Sequence, residues 1–407
     1  MNPFTLSIEQ IIAEYYVSIL YILPIIVLLC GIFLYIFRWR DYILPLCIAK
    51  REHVDEEKHM DFPRLSVIVP ANEQAALLAD NLPKLLEQDY PKFEVIVVDE
   101  ASTDETEEVI KQLQLRYRNL RRTFVPATAD ICRRKLSITL GVRASRSEWS
   151  VVTSASAVPA SSQWLRRIAE AIDENTDIIL GYGSFVDDGS SYARKAMFDR
   201  LWKQLRCYRS AENGAAIGGD EINFCIRKSA FLDQKGYAEN LQNDFGESHL
   251  LIQKLSRAGN TKVVVHPDAT MKEELPLELV WNNMQLYYRE TIRQSSRRMH
   301  TYLLREGLST FLLALVIVCV LLYTTLRGVQ LLHLHDYEIT YVYIDFAILL
   351  FVAAIVVIPT LLFSRCTKLL NESNLGWLLI RHALGGPFSN LSLKYRRWVI
   401  RKDFVRK

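Results

Sequence analysis

The sequence predicts an α/β layered domain held by three membrane helices. Short β-branched runs alternate with helical apolar rhythms between about residues 62 and 275. Three uncharged blocks of membrane-spanning length flank that stretch. Carboxylates gather directly after the first two β-branched runs, where open α/β sheets bind ligands.

The first block, Val17 to Phe37, is uncharged and long enough to cross a hydrocarbon core of about 20 residues. It is too long for a signal-peptide core and has no Ala-x-Ala site after it. The second block is Leu308 to Leu326 and the third Phe346 to Phe363, the latter with Pro359 near its end. Residues 1–16 carry no Lys or Arg, whereas Arg38 and Arg40 follow the first block directly. Arg289, Arg293, Arg297, Arg298 and Arg305 lead into the second block, and Arg327 alone among Lys and Arg lies between it and the third. Lys394, Arg396, Arg397, Arg401, Lys402, Arg406 and Lys407 close the chain. This asymmetry predicts an external N-terminus, a domain over 38–307 in the cytoplasm, an external loop over 327–345 and a basic cytoplasmic tail over 364–407. The expected setting is the inner, cytoplasmic membrane. Trp377–Trp398 mixes Trp, Leu and Phe with basic residues, as either an interfacial helix or a solvated tail would.

Within the domain, Leu65–Pro70 and Glu94–Asp99 read as strands of a parallel sheet buried on both faces. Ala75–Leu86 between them has a helical rhythm. Glu105–Leu115 repeats it, with Thr103 or Asp104 as its cap. Trp149–Thr153, Ile178–Gly181 and Val263–His266 are further strand candidates. A net charge of +3 over 407 residues gives no case for a nucleic-acid partner. Seven scattered cysteines without a Cys-x-x-Cys pair read as reduced thiols. Neither G-x-G-x-x-G nor the P-loop pattern follows a strand, which removes the commonest dinucleotide and NTP readings.

The motifs that remain are SVIVPANE at 66–73, LEQDYPKFEVIVVDEASTDET at 86–106, and Lys135-LSITL-Gly141. In this order and spacing they resemble the nucleotide-sugar half of a membrane-bound family 2 glycosyltransferase of the GT-A fold, over about residues 62–300. The resemblance implies that Asp99, Glu100 and Asp104 accept hydrogen bonds from a base and ribose. It also implies that Lys135 counters a diphosphate. Asp104 as a helix cap and the basic run at 133–135 as a solvated turn are the structural alternatives.

Such a family uses Mg2+ or Mn2+ held by T-D-A-D-x-x-P. This chain has Thr153-Ser154-Ala155-Ser156-Ala157-Val158-Pro159, with serine at both acidic positions. Hydroxyls are poor ligands for a hard cation, so no metal is expected. The family's G-E-D-x-x-L stretch corresponds to Gly246-Glu247-Ser248-His249-Leu250-Leu251, which puts Ser248 at the general-base position. Glu247, Asp244 and His249 are the substitutes, His249 reading first as a helix-surface residue. The Q-x-x-R-W signature corresponds to Gln285 and Arg289 in a helix whose Arg289, Arg293 and Arg297 are expected on one face, toward headgroups or an anionic substrate.

Two functions follow. One is a working transferase moving a sugar from a nucleotide-sugar donor to a glycan or lipid acceptor. The other, which the three lost charges favour, is a catalytically silent relative that binds nucleotide or partners an active glycosyltransferase. A transporter is disfavoured because the apolar blocks carry no charge.

Overall fold

The computed structural model describes residues 8–54, 62–126, 131–333, 339–373 and 375–382. The chain divides into two compact units. One comprises 1–42, 302–363 and 376–407, the other 43–301 and 364–375.

The second unit holds the α/β domain. Its main sheet has seven strands in the order β3-β2-β1-β4-β8-β6-β9. These are β1 (Leu65–Ala71), β2 (Phe93–Asp99), β3 (Leu120–Phe124), β4 (Trp149–Val152), β6 (Ile178–Leu180), β8 (Phe224–Arg227) and β9 (Thr261–Val263). β3, β2, β1 and β4 are parallel. Every residue of β1 is buried, which explains its uninterrupted apolar run. Val67, Val69, Val95, Val97 and Val151 pack with Leu78, Leu82 and Leu85 of α2 (Ala75–Leu86) into the main core. α3 (Thr106–Arg116) and α4 (Arg133–Ala144) complete this half. A Cβ at Gly141 would collide with Ile68, so the glycine of the Lys135–Gly141 motif lets α4 lie close on β1.

β8 runs against both β4 and β6, with Val152 opposite Phe224. This reversal brings the residues ahead of β8 to the same sheet edge at which β1, β2 and β4 end. A second sheet has the order β5-β10-β7, formed by β5 (Ala157–Pro159), β7 (Tyr182–Phe185) and β10 (Thr270–Glu273). Glu273 faces Ala157 across it. α6 (Ser191–Glu212), α8 (Glu247–Leu255) and α9 (Glu278–Gln294) finish the domain, with the short α5 (Trp164–Glu170) and α7 (Lys228–Asp233).

The other unit contains most of α1 (Ile8–Val54), α10 (Arg297–His333) and α11 (Ile339–Leu369). Each apolar block lies inside a longer helix, so the stretch expected as an external loop over 327–345 is largely helical outside 334–338. Leu20, Leu23 and Val27 pack with Val316, Tyr323 and Ile348. Leu29, Phe311 and Leu349 on the other faces are 62%, 64% and 66% exposed. Asp345 of α11 accepts from the Tyr323 hydroxyl at 2.6 Å and lies 3.4 Å from Nε of Arg327, just outside the uncharged blocks. Two described helices, Arg297–Val329 and Val342–Leu369, are long and apolar enough to cross a membrane, and Ser18–Leu34 is a shorter apolar segment. Residues 376–382 are helical; the rest of the tail segment to Trp398 lies outside the described residues.

Candidate donor and acceptor site

The ends of β1 and β2 are knitted together by their own polar groups. Oδ1 of Asp99 accepts from the Ser102 amide at 3.0 Å, and Oδ2 pairs with Arg122 at the same distance. The Glu73 carboxylate takes the Thr103 amide at 2.7 Å. Glu73 and Ala101 both have positive φ, 51° and 60°, an uncommon state for residues with a Cβ. Asp104 caps two helices at once, accepting from Ala75 at 3.0 Å and from Thr106 at 3.1 Å. Those bonds outweigh burial and hold its carboxyl below the ordinary range. Its carboxylate thus takes the first amides of both helices, as the capping alternative has it. Burial pushes Glu100 up, against Ser137, Arg134 and Arg133.

Lys135 is fully buried, and its ammonium donates to the carbonyls of Asn240 at 2.9 Å and Asn243 at 2.8 Å. It therefore latches the loop leading into α8 and does not stand free to meet a diphosphate. The expected solvated turn fails here too. The arginine stripe is also corrected: α9 ends before Ser295 and α10 starts at Arg297, so Arg297 does not share a helix with Arg289 and Arg293. Arg293 pairs with Glu290 at 3.1 Å.

A cavity of about 370 Å³ opens beside this edge. It gathers Ser154, Asp244, Glu247 and Gln285 from the sequence reading, with His249. Asp99, Glu100, Asp104, Lys135, Ser156, Ser248 and Arg289 do not line it. Glu247 is the first residue of α8, where the helix N-terminus favours a negative charge. The Ser248 hydroxyl is fully buried and donates to the Gly219 carbonyl at 3.0 Å, so it is structural. His249 is buried rather than on the helix surface, edge-on to Tyr288 at 5.2 Å between ring centroids. Burial, helped by Lys203, pulls its pKa down to about 4, so the ring is neutral at pH 7. Gln285 accepts from Lys203 at 2.7 Å.

Arg200, Asp220, Glu221 and Glu273 of this cavity are among the residues that escaped the sequence reading. Arg200 of α6 forms a two-pronged pair with Asp220, Nε and Nη2 each 2.8 Å from a carboxylate oxygen, and a third bond from Nη1 to Glu273. A signal existed: Arg200 falls in the stripe Ala193, Met197, Arg200, Gln204, Tyr208, whose other members are buried, and a charge there demands partners. Asp220 and Glu221 precede β8 and carry no such signal, and Glu273 sits at the end of a short strand. Burial, with the charge of Glu247, pushes Glu221 up to about 7 against Arg134 and Arg200. Burial opposes ionisation of Arg134, but the charges of Glu247, Glu221 and Glu100 keep it protonated.

The serines in the family's metal positions bond to each other, Oγ to Oγ, at 2.9 Å. Ser156 also donates to Oε2 of Glu273 at 3.3 Å. Among the described residues no three His, Cys, Asp or Glu are grouped to hold an ion. Two hydroxyls, with one carboxylate already paired to an arginine, do not fit a Mg2+ or Mn2+ ion.

Residues 66–234 match the family model described as glycosyl transferase family 2. No curated protein matches the chain. Among solved structures, the mannosyltransferase PcManGT of Pyrobaculum calidifontis, in complex with GDP-Man and Mn2+, is 15% identical. The alignment covers 81% of this chain and 99% of that one, with a TM-score of 0.45. A fragment of TarS from S. aureus is 16% identical over 74% of this chain and 83% of that one, with a TM-score of 0.42.

Proposed function

We propose that this chain, whose residues 66–234 match the family 2 glycosyltransferase model, is a membrane-anchored, metal-free glycosyltransferase with a relocated base. The donor is a nucleotide sugar and the acceptor a glycan or lipid hydroxyl. One observation carries the reading: the cavity holds both Glu247 and Glu221, the latter pushed to about 7. A carboxylate tuned to the working pH can take an acceptor proton, which Ser248 cannot. Glu247 keeps its neighbour's affinity for protons high, and Arg134 beside both holds them in one charged network. Asp99 and Glu100 bind the nucleoside at the strand ends. Trp281 and Tyr287 line the cavity wall.

A second reading, the silent relative that binds nucleotide or partners an active enzyme, draws on Ser154 and Ser156 having replaced carboxylates. Incubating the full-length protein with UDP- and GDP-sugars in EDTA separates the two. Donor turnover that falls about a hundredfold in Glu221→Gln supports the enzyme. Nucleotide binding without turnover supports the silent relative.

Membrane anchoring rests on the long apolar helices and their outward Leu29, Phe311 and Leu349. The Lys/Arg asymmetry supports a cytoplasmic α/β domain. A maleimide that cannot cross membranes should label Glu338→Cys in intact cells and leave Asp188→Cys unlabelled. The opposite pattern reverses the topology.

A further inference from the structure

We infer that the Arg200 guanidinium is the resident cation of this cavity, occupying the carboxylates that a divalent metal would need and serving a diphosphate in its place. The inference rests on reading the cavity as the donor site.

The geometry is specific. Oδ2 of Asp220 takes Nε of Arg200, and Oδ1 takes Nη2 together with the Ile222 amide at 3.0 Å. Oε1 of Glu273 takes Nη1, and Oε2 takes the Ser156 hydroxyl. Every oxygen of the two carboxylates thus has a partner in this network. A metal at the Ser154–Ser156 frame would have only hydroxyls as first ligands, and its nearest carboxylate, Glu273, is bound to Arg200. The guanidinium sits as a planar cation between two anions and offsets one of their two charges, where a divalent ion would offset both.

The guanidinium is also poised to act outward. It has five N–H donors, of which Asp220 and Glu273 take three. Its central carbon lies over the Phe185 ring, 4.8 Å from the centroid, which helps hold the group in place. It is 15% exposed and lines the cavity, so the remaining donors can meet phosphate oxygens. The permanent charge of arginine makes this contact insensitive to chelators.

The test uses the full-length protein in detergent, with Mn2+ alone followed by electron paramagnetic resonance, and UDP and GDP followed by calorimetry. The native chain should leave Mn2+ free, and its nucleotide affinity should be the same in EDTA and in Mn2+. Arg200→Ala should take up one Mn2+, lost again when Glu273→Gln is added, and should bind nucleotide about tenfold more weakly in EDTA than the native chain. Arg200→Gln, closer in shape, is the second variant and should also take up Mn2+. If neither variant folds alone, refolding yield is compared with and without Mn2+. A Mn2+-dependent yield supports the assignment, and failure in both overturns it. Mn2+ uptake by the native chain at a site lost in Glu273→Gln overturns it, as do folded variants that take none. Native protein that binds neither nucleotide, with Mn2+ behaving as expected, overturns the donor reading and the diphosphate role while Arg200 keeps its place among the carboxylates.

Discussion

The hydroxyl of Tyr182 lies 2.6 Å from Oε1 of Glu372, a buried contact between residues 190 positions apart. Tyr182 opens β7 of the three-stranded sheet, and Glu372 follows α11. Lys272 of β10 lies 3.3 Å from the other oxygen. The segment after the last apolar helix is thus bound into the α/β domain by a tyrosine, a lysine and one carboxylate.

Tyr182→Phe should therefore destabilise the α/β domain by about 1–3 kcal/mol, the cost of leaving a buried acceptor short of a donor. Thermal melting of the purified chain reads the effect. An unchanged melting temperature would mean that the tyrosine contributes packing alone.

The raised pKa of Glu221 has two consequences of opposite sign. As a base, it must be ionised, so donor turnover should climb as pH rises through about 7. For stability, an acid that ionises near 4.5 unfolded and near 7 folded favours the unfolded chain in between. Stability should therefore fall as pH rises from about 4.5 to 7, and Glu221→Gln should flatten that slope. A turnover profile that is flat from pH 5 to 8 would remove Glu221 from the base role.

His249 works in the other direction. Its pKa is depressed to about 4 from the ordinary 6.5, so the unfolded chain takes up a proton first as the medium acidifies. Its contribution is complete above pH 6.5 and is lost as pH falls toward 4. Acid melts of His249→Gln should lack that part of the pH dependence. A ring that titrates near 6.5 by NMR would show that the site is wetter than described.

Asp99→Asn should weaken UDP or GDP binding by roughly ten- to a hundredfold, the loss of one charged hydrogen bond of about 1.5–3 kcal/mol. Calorimetry in EDTA measures it. Arg122→Gln separates the two contributions, since it frees Asp99 from its partner at 3.0 Å. If it weakens binding as much as Asp99→Asn does, positioning by Arg122 is what matters.

The parallel half of the sheet was legible because its strands are buried on both faces. α2 lies over Ala75–Leu86 as its rhythm predicts, and β1 and β2 differ from expectation only at their ends. The strand expected at Val263–His266 instead covers Thr261–Val263. It is an edge strand paired only with β6, so burial does not impose an apolar pattern on it. β8 is short and reversed, and nothing in its four residues announces its direction. Glu247 and Asp244 were readable as cavity residues from their motif. Lys135 was not, because position in a motif does not say which way a long side chain turns. Arg200 acquires its meaning only when β8 and β10 bring Asp220 and Glu273 to it from 20 and 73 residues away.

The Lys135 latch sets a limit on modularity. The nucleotide half of such a domain invites exchange with another, with a junction anywhere between α4 and α8. Any such graft separates the ammonium on α4 from the carbonyls of Asn240 and Asn243. A buried cation would then face a foreign loop with no acceptors arranged for it, at a cost of several kcal/mol. Chimeras of this protein will need residues 133–135 and 237–247 to come from the same parent.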